Sequence, residues 1–310
     1  MTTYFLTMAA QVITLFLMMG VGYFIYRRGH LTKAGLSEIS YLLMYIVIPS
    51  MIIHSLQTDW DPARLRNFGI AAAVVMAHYL LNTLLAIPLF RKREEAQRLP
   101  LQFGAIYCNC GFMGLPLVHA VLGDAAMLYT TVAVVCFNVV AWTHGIALVG
   151  GRKEISLKRV FFNPGVVALA IGLPLFLLRV RLPAVIGNTL EFFTNLNTPL
   201  AMVIIGAQMA QTNLSTMFRS PQLYGGAAVK LILIPALTAA LLYPLGLDPL
   251  MYVTFVLLSA APSANLTSIF AQRFDRDVGM AAQLVSLTTL LSVVTLPLFA
   301  VLAAALAGYS

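Results

Sequence analysis

The sequence predicts an all-α polytopic membrane protein whose ten transmembrane helices form two inverted five-helix repeats. Three observations lead to this fold class. The composition is 60% hydrophobic and 10% charged, with a mean hydropathy of +0.88. Apolar runs alternate with short charged or turn-forming segments, and Lys and Arg concentrate in every second connection. Because an ordinary soluble domain carries about 25% charged residues, this composition excludes a soluble fold.

The apolar runs define the helices in order. A helix needs about 20 mostly apolar residues to cross about 30 Å of hydrocarbon. Segments of this kind, separated by charged or turn-forming residues, are predicted near residues 5–26, 35–56, 66–90, 99–122, 125–149, 160–178, 184–210, 221–243, 249–272 and 278–307. We number them helices 1 to 10.

The basic residues predict the orientation, because Lys and Arg favour cytoplasmic loops. With the N-terminus outside, fourteen of the 19 basic residues fall in cytoplasmic loops, four on the opposite side and one, Lys230, inside a helix. Both termini are therefore expected to be extracytoplasmic. The net charge of +8 does not indicate a nucleic-acid partner, since the basic residues are not gathered on one soluble face.

A faint internal repeat relates the two halves of the chain. Pro49 lies mid-segment in helix 2 and Pro199 in helix 7, while Asp124 precedes helix 5 and Asp277 precedes helix 10. A repeat of five helices has an odd number of crossings, so the second copy is inserted upside down, as in many transporters. The predicted repeats are residues 1–152 and 153–310 of one integral membrane unit.

Helix 4 is interrupted at its centre by Asn109, Gly111, Gly114 and Pro116. Glycine weakens a helix, and proline removes a hydrogen-bond donor from it. Hydrocarbon cannot satisfy the freed backbone groups, so such a break must face protein or a wet cavity.

Helix 9 has a matching interruption at Pro262, Ser263 and Asn265. Aligning the two aspartates that precede helices 5 and 10 gives an offset of 153, which places Asn109 on Pro262. A single proline could merely kink a packed helix. Two interrupted segments at corresponding positions, each with polar neighbours, instead predict the substrate site of a transporter, with these seven residues as its binding residues.

Four ionisable residues within apolar segments are further candidates. Lys230 in helix 8 either holds a carboxylate substrate or forms a structural ion pair with Glu191 in helix 7. Glu191, His119 and His144 are candidates for binding a coupling ion, since an intramembrane carboxylate or imidazole can carry a proton. Histidines that pack helices through a hydrogen bond are the alternative interpretation.

Other functions receive less support from the sequence. An ion channel requires a continuous polar or charged ring, whereas the polar groups here cluster at two breaks. A membrane sensor with a transporter-like fold stays open as an alternative. Paired intramembrane aspartates, an HExxH motif and a nucleophile with a base are all missing from the sequence, so we expect no enzyme. The cysteine spacing indicates no metal site, and we expect no cofactor.

Four segments resemble the auxin efflux carrier family: NCGFMGLP at 109–116, TPLA at 198–201, APSANLTSIFA at 261–271 and LSVVTLP at 291–297. The likeness covers nearly the whole chain and is of the bacterial type, because the connection between helices 5 and 6 is short. It implies a bile acid sodium symporter-like fold. Helices 1, 2, 6 and 7 would form a scaffold against which a core of helices 3–5 and 8–10, with crossing helices 4 and 9, moves as an elevator.

The resemblance also implies a cell (inner) membrane location and a small organic anion as substrate, such as malonate, malate or an auxin-like acid. Asn109 matches the asparagine that precedes the Gly-x-Pro element of helix 4, and Pro116 and Pro262 match the crossover prolines. A proton or Na⁺ is the implied coupling ion. No carboxylate lies beside either break in this sequence, which disfavours a carboxylate-based sodium site and favours proton-coupled or uncoupled transport. A homodimer is also implied.

Overall fold

The computed structural model describes residues 2–58, 62–212 and 214–308, and their secondary structure is helical. Both termini and part of the loop between helices 2 and 3, which the orientation prediction uses, lie outside the described residues. The principal helices are α1 (Thr2–Arg27), α2 (Lys33–Ser55), α3 (Pro62–Phe90), α4a (Glu95–Ile106), α4b (Cys110–Leu122), α5 (Asp124–Gly150), α6 (Pro164–Leu177), α7 (Ala184–Ala210), α8 (Pro221–Leu245), α9a (Pro249–Ala260), α9b (Leu266–Arg273) and α10 (Val278–Ala307).

Seven of the described helices are long and apolar enough to cross a membrane: α1, α2, α3, α5, α7, α8 and α10. Helices α4b, α6 and α9a are shorter apolar helices of 10–17 residues. Large apolar side chains are exposed on the outside, including Leu17 at 68% and Phe24 at 66%, as expected of a surface that faces lipid. The all-helical class is confirmed, whereas the inverted repeat of ten crossings stays a prediction.

Helix α1 crosses α7 at backbone contact. A Cβ atom on Gly206 of α7 would overlap the Met19 carbonyl of α1, and one on Gly22 of α1 would overlap the Val203 carbonyl of α7. Small residues allow helices to approach this closely where lipid removes the hydrophobic drive for association. The two glycines therefore fix where α1 and α7 cross.

Helices α2 and α6 cross in a related manner. A Cβ atom on Gly172 of α6 would lie 3.4 Å from the Ile53 Cα atom of α2. Gly172 follows Met19 by 153 positions, and Gly206 follows Ile53 by the same number. The crossing of α6 with α2 is therefore the counterpart, at a constant offset, of the crossing of α1 with α7.

Two helices are broken where the sequence places the interruptions. Helix α4a ends at Ile106, and α9a ends at Ala260. The extended segments that follow pair as a short antiparallel bridge, in which Asn109 N donates to Pro262 O at 2.8 Å and Ala264 N donates to Tyr107 O at 2.9 Å. We call this pairing the backbone bridge.

The register of the backbone bridge differs from the predicted alignment. Adding 155 to the residue numbers of Tyr107 and Asn109 gives Pro262 and Ala264, the residues that form the other side of the bridge. In this register Asn109 corresponds to Ala264 and not to Pro262. The turns that follow the breaks also differ, because α4b begins with a π-helical turn at Cys110–Gly114, whereas α9b is α-helical from its first residue. A wider turn holds an extra residue, which accounts for one of the two positions by which the register departs from the uniform offset.

Candidate functional site

A cavity of about 460 Å³ lies between α2, α6 and α7 on one side and α4b, α5, α9b and α10 on the other. Three of the predicted binding residues line it, namely Asn109, Gly111 and Asn265. Lys33, at the start of α2, also lines it. The cavity thus joins the breaks in both interrupted helices to the end of the molecule where α2 begins.

Two side-chain amides at the breaks lack hydrogen-bond partners. The Nδ2 atoms of Asn109 and Asn265 are buried and unbonded within the described part of the chain. Asn109 is only 3% exposed. A buried donor without a partner costs about 1–3 kcal/mol, so both amides are suited to an acceptor that enters the cavity.

Backbone N–H groups at the starts of α4b and α9b also lie beside the cavity. The Asn109 carbonyl accepts the N–H groups of Met113 and Gly114, so the earlier N–H groups of α4b precede its first helical hydrogen bonds. A Cβ atom on Gly111 would meet nothing nearer than the Ile48 Cδ1 atom at 3.9 Å, which leaves the backbone open to the cavity. The first turn of α9b, at Leu266, lines it as well. Helix N-termini carry partial positive charge and favour anions.

The charge around the cavity agrees with these donors. Lys33 is the one charged side chain among the described residues that line it. Neither an aspartate nor a glutamate contributes to this lining. A cavity with converging N–H groups, a basic mouth and no carboxylate favours a negatively charged ligand.

Polar pairs form the walls of the cavity. Asn163 Nδ2 donates to Asn138 Oδ1 at 3.2 Å, which connects the start of α6 to α5. The hydroxyls of Thr212 and Ser286 are 2.8 Å apart and connect the end of α7 to α10.

Asn163 and Thr212 were not identified from the sequence. A signal existed for Asn163, because Asn before Pro164 is the pattern of a helix N-cap, and its Oδ1 accepts the Gly165 N–H at 3.0 Å. This signal predicts the start of a helix but no lining role. Thr212 carried no such pattern.

The other predicted binding residues at the breaks do not line this cavity: Gly114, Pro116, Pro262 and Ser263. The Ser263 hydroxyl donates to the Gly104 carbonyl at 2.8 Å, and its N–H donates to Thr288 Oγ1 at 3.2 Å. A Cβ atom on Gly114 would lie 2.7 Å from Leu258 Cδ2, so this glycine allows α4b to pack on α9a. These residues shape the crossing.

Lys230 and Glu191 lie in different surroundings. Lys230 is fully buried in α8, where its Nζ donates to the Ser259 carbonyl at 3.0 Å, and it does not line the 460 Å³ cavity. Glu191 is exposed on α7. The suggested ion pair between them is not formed, because the ammonium is enclosed at the end of α9a.

The two candidate histidines occupy different sites. His119 Nε2 lies 3.1 Å from Asp124 Oδ1 beside a second cavity, of about 600 Å³, which shares no lining residue with the first. His144 Nδ1 lies 2.7 Å from the Tyr107 hydroxyl. The carbonyl of Tyr107 belongs to the backbone bridge, so His144 contacts the crossing from the side of α5.

A helical, multi-pass integral membrane protein with a cavity that ends at two broken helices has the form of a membrane transporter. The family model described as membrane transport protein matches residues 7–158 and 152–300. The chain belongs to this family, the auxin efflux carriers.

Two archaeal proteins are similar to the chain along nearly their whole length. An uncharacterized transporter of Methanothermobacter thermautotrophicus is 25% identical over 306 residues, which are 96% of this chain and 99% of the relative. An uncharacterized transporter of Methanocaldococcus jannaschii is 22% identical over 291 residues, or 90% of this chain and 93% of the relative. Membership of a transporter family also agrees with the expectation of a protein that is not an enzyme.

Proposed function

We propose that the protein is a secondary transporter of small organic anions, which bind between the breaks in helices 4 and 9. The observation that carries this proposal is the pair of unpartnered amides on Asn109 and Asn265 at the inner end of the cavity. Carboxylate oxygens accept hydrogen bonds from amides and from helix N-termini, and such charge-assisted bonds are the stronger ones.

The walls favour an anion with an organic body. Phe112, Phe137 and Trp142 contribute aromatic surface, while Asn138 and Gln208 contribute amides. A carboxylate at the amide pair would leave the rest of the ligand against these side chains. Malonate, malate and auxin-like acids are the classes to be compared.

We further propose elevator-type alternating access. In this mechanism α1, α2, α6 and α7 are a scaffold, and the remaining principal helices are a core that moves against it. The cavity lies between these two groups, and the matched crossings of α1 with α7 and of α6 with α2 support the division into inverted repeats 1–152 and 153–310. A homodimer through the scaffold, as the family resemblance implies, is part of this proposal.

The orientation assigns the two cavities to opposite sides. The cavity lined by Lys33 lies at the end with most basic loops, which the positive-inside bias places in the cytoplasm. The described conformation is then inward-open, in the cell (inner) membrane, with both termini extracytoplasmic. The cavity beside His119 would be the outer vestibule.

Coupling to a proton or to Na⁺ belongs to the same proposal. His144 is the candidate nearest to the crossing through Tyr107, and His119 faces the proposed outer vestibule. Glu191 is exposed on α7 and contacts neither cavity. An ion channel is disfavoured because the backbone bridge joins the two broken helices and the two cavities share no lining residue.

The decisive experiment measures anion binding by thermal stabilisation of the purified protein, with uptake into proteoliposomes as a second readout. A ligand that binds only the folded state raises its apparent stability, by an amount that grows with the ratio of ligand concentration to dissociation constant. We expect Asn109→Ala and Asn265→Ala each to weaken binding of the stabilising anion about tenfold, since a hydrogen bond to a charged group contributes roughly 1.5–3 kcal/mol.

Asn188→Ala is the matched control, because Asn188 is an exposed asparagine of α7. It should bind like the wild type. Unchanged affinity in both Asn109→Ala and Asn265→Ala would contradict the assigned site. Anion binding without saturable flux would indicate a sensor with a transporter-like fold.

A further inference from the structure

Lys230 has a position that anion binding in the 460 Å³ cavity does not explain. Its side chain is 0% exposed, and it lies in a π-helical turn, Val229–Leu233, within α8. Such turns are rare and frequently occur at functional sites. Its Nζ donates to the Ser259 carbonyl at 3.0 Å, one of the last carbonyls of α9a.

The first repeat has a neutral group at the corresponding place. At the end of α4a, the Ile106 carbonyl accepts from Asn82 Nδ2 at 3.2 Å. Asn82 belongs to α3, the helix before α4a, just as Lys230 belongs to α8, the helix before α9a. The same helix end is thus capped by an amide in one repeat and by an ammonium in the other.

The surroundings of Lys230 contain no opposite charge of ordinary kind. Within the described part of the chain, ion pairs such as those of Arg273 with Glu154 and of Arg276 with Glu95 do not include Lys230. Ser259, whose carbonyl accepts from Lys230, also lines a cavity of about 20 Å³, where the other polar residues are His78, Tyr79, Cys108, Cys110 and Thr238. The partial negative charge of a helix C-terminus is therefore the feature that this ammonium faces.

Carbonyls at the ends of broken helices are the ligands that transporters offer to small cations. We propose that Lys230 is a tethered cation, whose ammonium fills the carbonyl end of α9a where a diffusible alkali cation would otherwise bind. The protein consequently binds its anion without sodium. This proposal rests on the proposed function only in its statement about anion binding. There, the Lys230 ammonium and the N-termini of α4b and α9b together place positive charge on both sides of the crossing.

The test removes the tether and supplies a free cation. Wild type, Lys230→Ala and Lys230→Met are unfolded thermally in choline chloride, sodium chloride and ethylammonium chloride at one ionic strength. Lys230→Ala empties the site, whereas the methionine side chain fills it without a charge. The measurement needs no anion, so it is independent of whether the proposed function is correct.

We expect the wild type to unfold at the same temperature in sodium and in choline. Lys230→Ala should unfold at a lower temperature, and ethylammonium or sodium should raise that temperature above its value in choline, whereas Lys230→Met should show no such rise. A sodium-specific rise in the wild type, or a Lys230→Ala protein that responds to neither cation, would overturn the proposal.

Two further outcomes are decisive. If Lys230→Ala can be purified only with ethylammonium present, the tethered-cation role is supported. If it is recovered in no medium, the wild-type comparison decides, since sodium dependence overturns the proposal and anion binding in choline supports it. Failure of every anion to stabilise the wild type would instead refute the proposed function and leave the cation response of Lys230→Ala interpretable.

Discussion

Gly111 and Gly114 occupy one turn of α4b but serve different purposes. A Cβ atom on Gly111 would project into the cavity, with Ile48 Cδ1 its nearest neighbour at 3.9 Å. A Cβ atom on Gly114 would lie 2.7 Å from Leu258 Cδ2, where no room exists without a shift of α9a. The first glycine keeps the cavity open, and the second keeps two broken helices in contact.

We expect Gly114→Ala to destabilise the protein by about 1–3 kcal/mol, the usual cost of an extra carbon in a filled core. Gly111→Ala should leave stability nearly unchanged and should reduce the stabilisation by the anion, because its methyl group enters the cavity. Thermal unfolding with and without the anion measures both effects. Equal behaviour of the two variants would show that the glycines are not distinguished in this way.

Individual residues differ in how far the sequence could predict them. Asn109 and Asn265 were predictable, because an asparagine beside a helix break inside an apolar segment has little other use. The direction in which the Lys230 side chain points was not predictable. Helix α8 is apolar on nearly every side, and its π-helical turn rotates the side chain relative to a regular helix. Periodicity alone therefore could not show that Lys230 faces Ser259 instead of the cavity.

At the scale of elements, the crossing of α1 with α7 depends on two glycines. We expect Gly206→Ala and Gly22→Ala to destabilise the protein by at least about 1–3 kcal/mol, because each added methyl group would overlap a backbone carbonyl of the facing helix. Gly20→Ala is the matched control in the same helix, where a Cβ atom meets nothing within 4 Å. Thermal unfolding in one detergent compares the three; a Gly20→Ala variant as unstable as Gly22→Ala would refute the steric explanation.

A hydrogen bond between α2 and α5 tests movement of the proposed core. The hydroxyls of Ser55 and Thr131 are 2.9 Å apart and join the two groups of helices beside the second cavity. If the core moves, the doubly substituted Ser55→Cys, Thr131→Cys protein should lose transport on oxidation and regain it on reduction. The single variant Ser55→Cys is the control for oxidation of native thiols. Undiminished transport by the cross-linked protein would contradict the elevator mechanism.

The breaks in helices 4 and 9 were predictable, whereas their pairing was not. Gly111, Pro116 and Pro262 mark where regular helix fails, since these residue types are costly inside helices. The antiparallel contact between Cys108 and Ser263 is made by backbone atoms, which carry no sequence signal. The register in which the two breaks pair therefore differs by two positions from the predicted alignment.

At the scale of the whole molecule, the distribution of basic loops predicts the topology. In a protein without its native cysteines, a membrane-impermeant maleimide should label Leu245→Cys in intact cells, because the exposed turn between α8 and α9a is then extracytoplasmic. It should label His30→Cys, in the exposed connection between α1 and α2, only after permeabilisation. Labelling in the reverse pattern would invert the proposed orientation and make the described conformation outward-open.

The backbone bridge also bears on how the protein can diversify. The two N–H groups and two carbonyls that join the broken helices are present whatever side chains stand at Tyr107, Cys108 and Ala264. Most point mutations therefore leave the backbone bridge intact. The walls of the cavity consist of side-chain amides, hydroxyls and aromatic rings, which mutations can replace. Such a division lets selection change which ligand the cavity accepts through a few wall substitutions, without rebuilding the joint between the two broken helices.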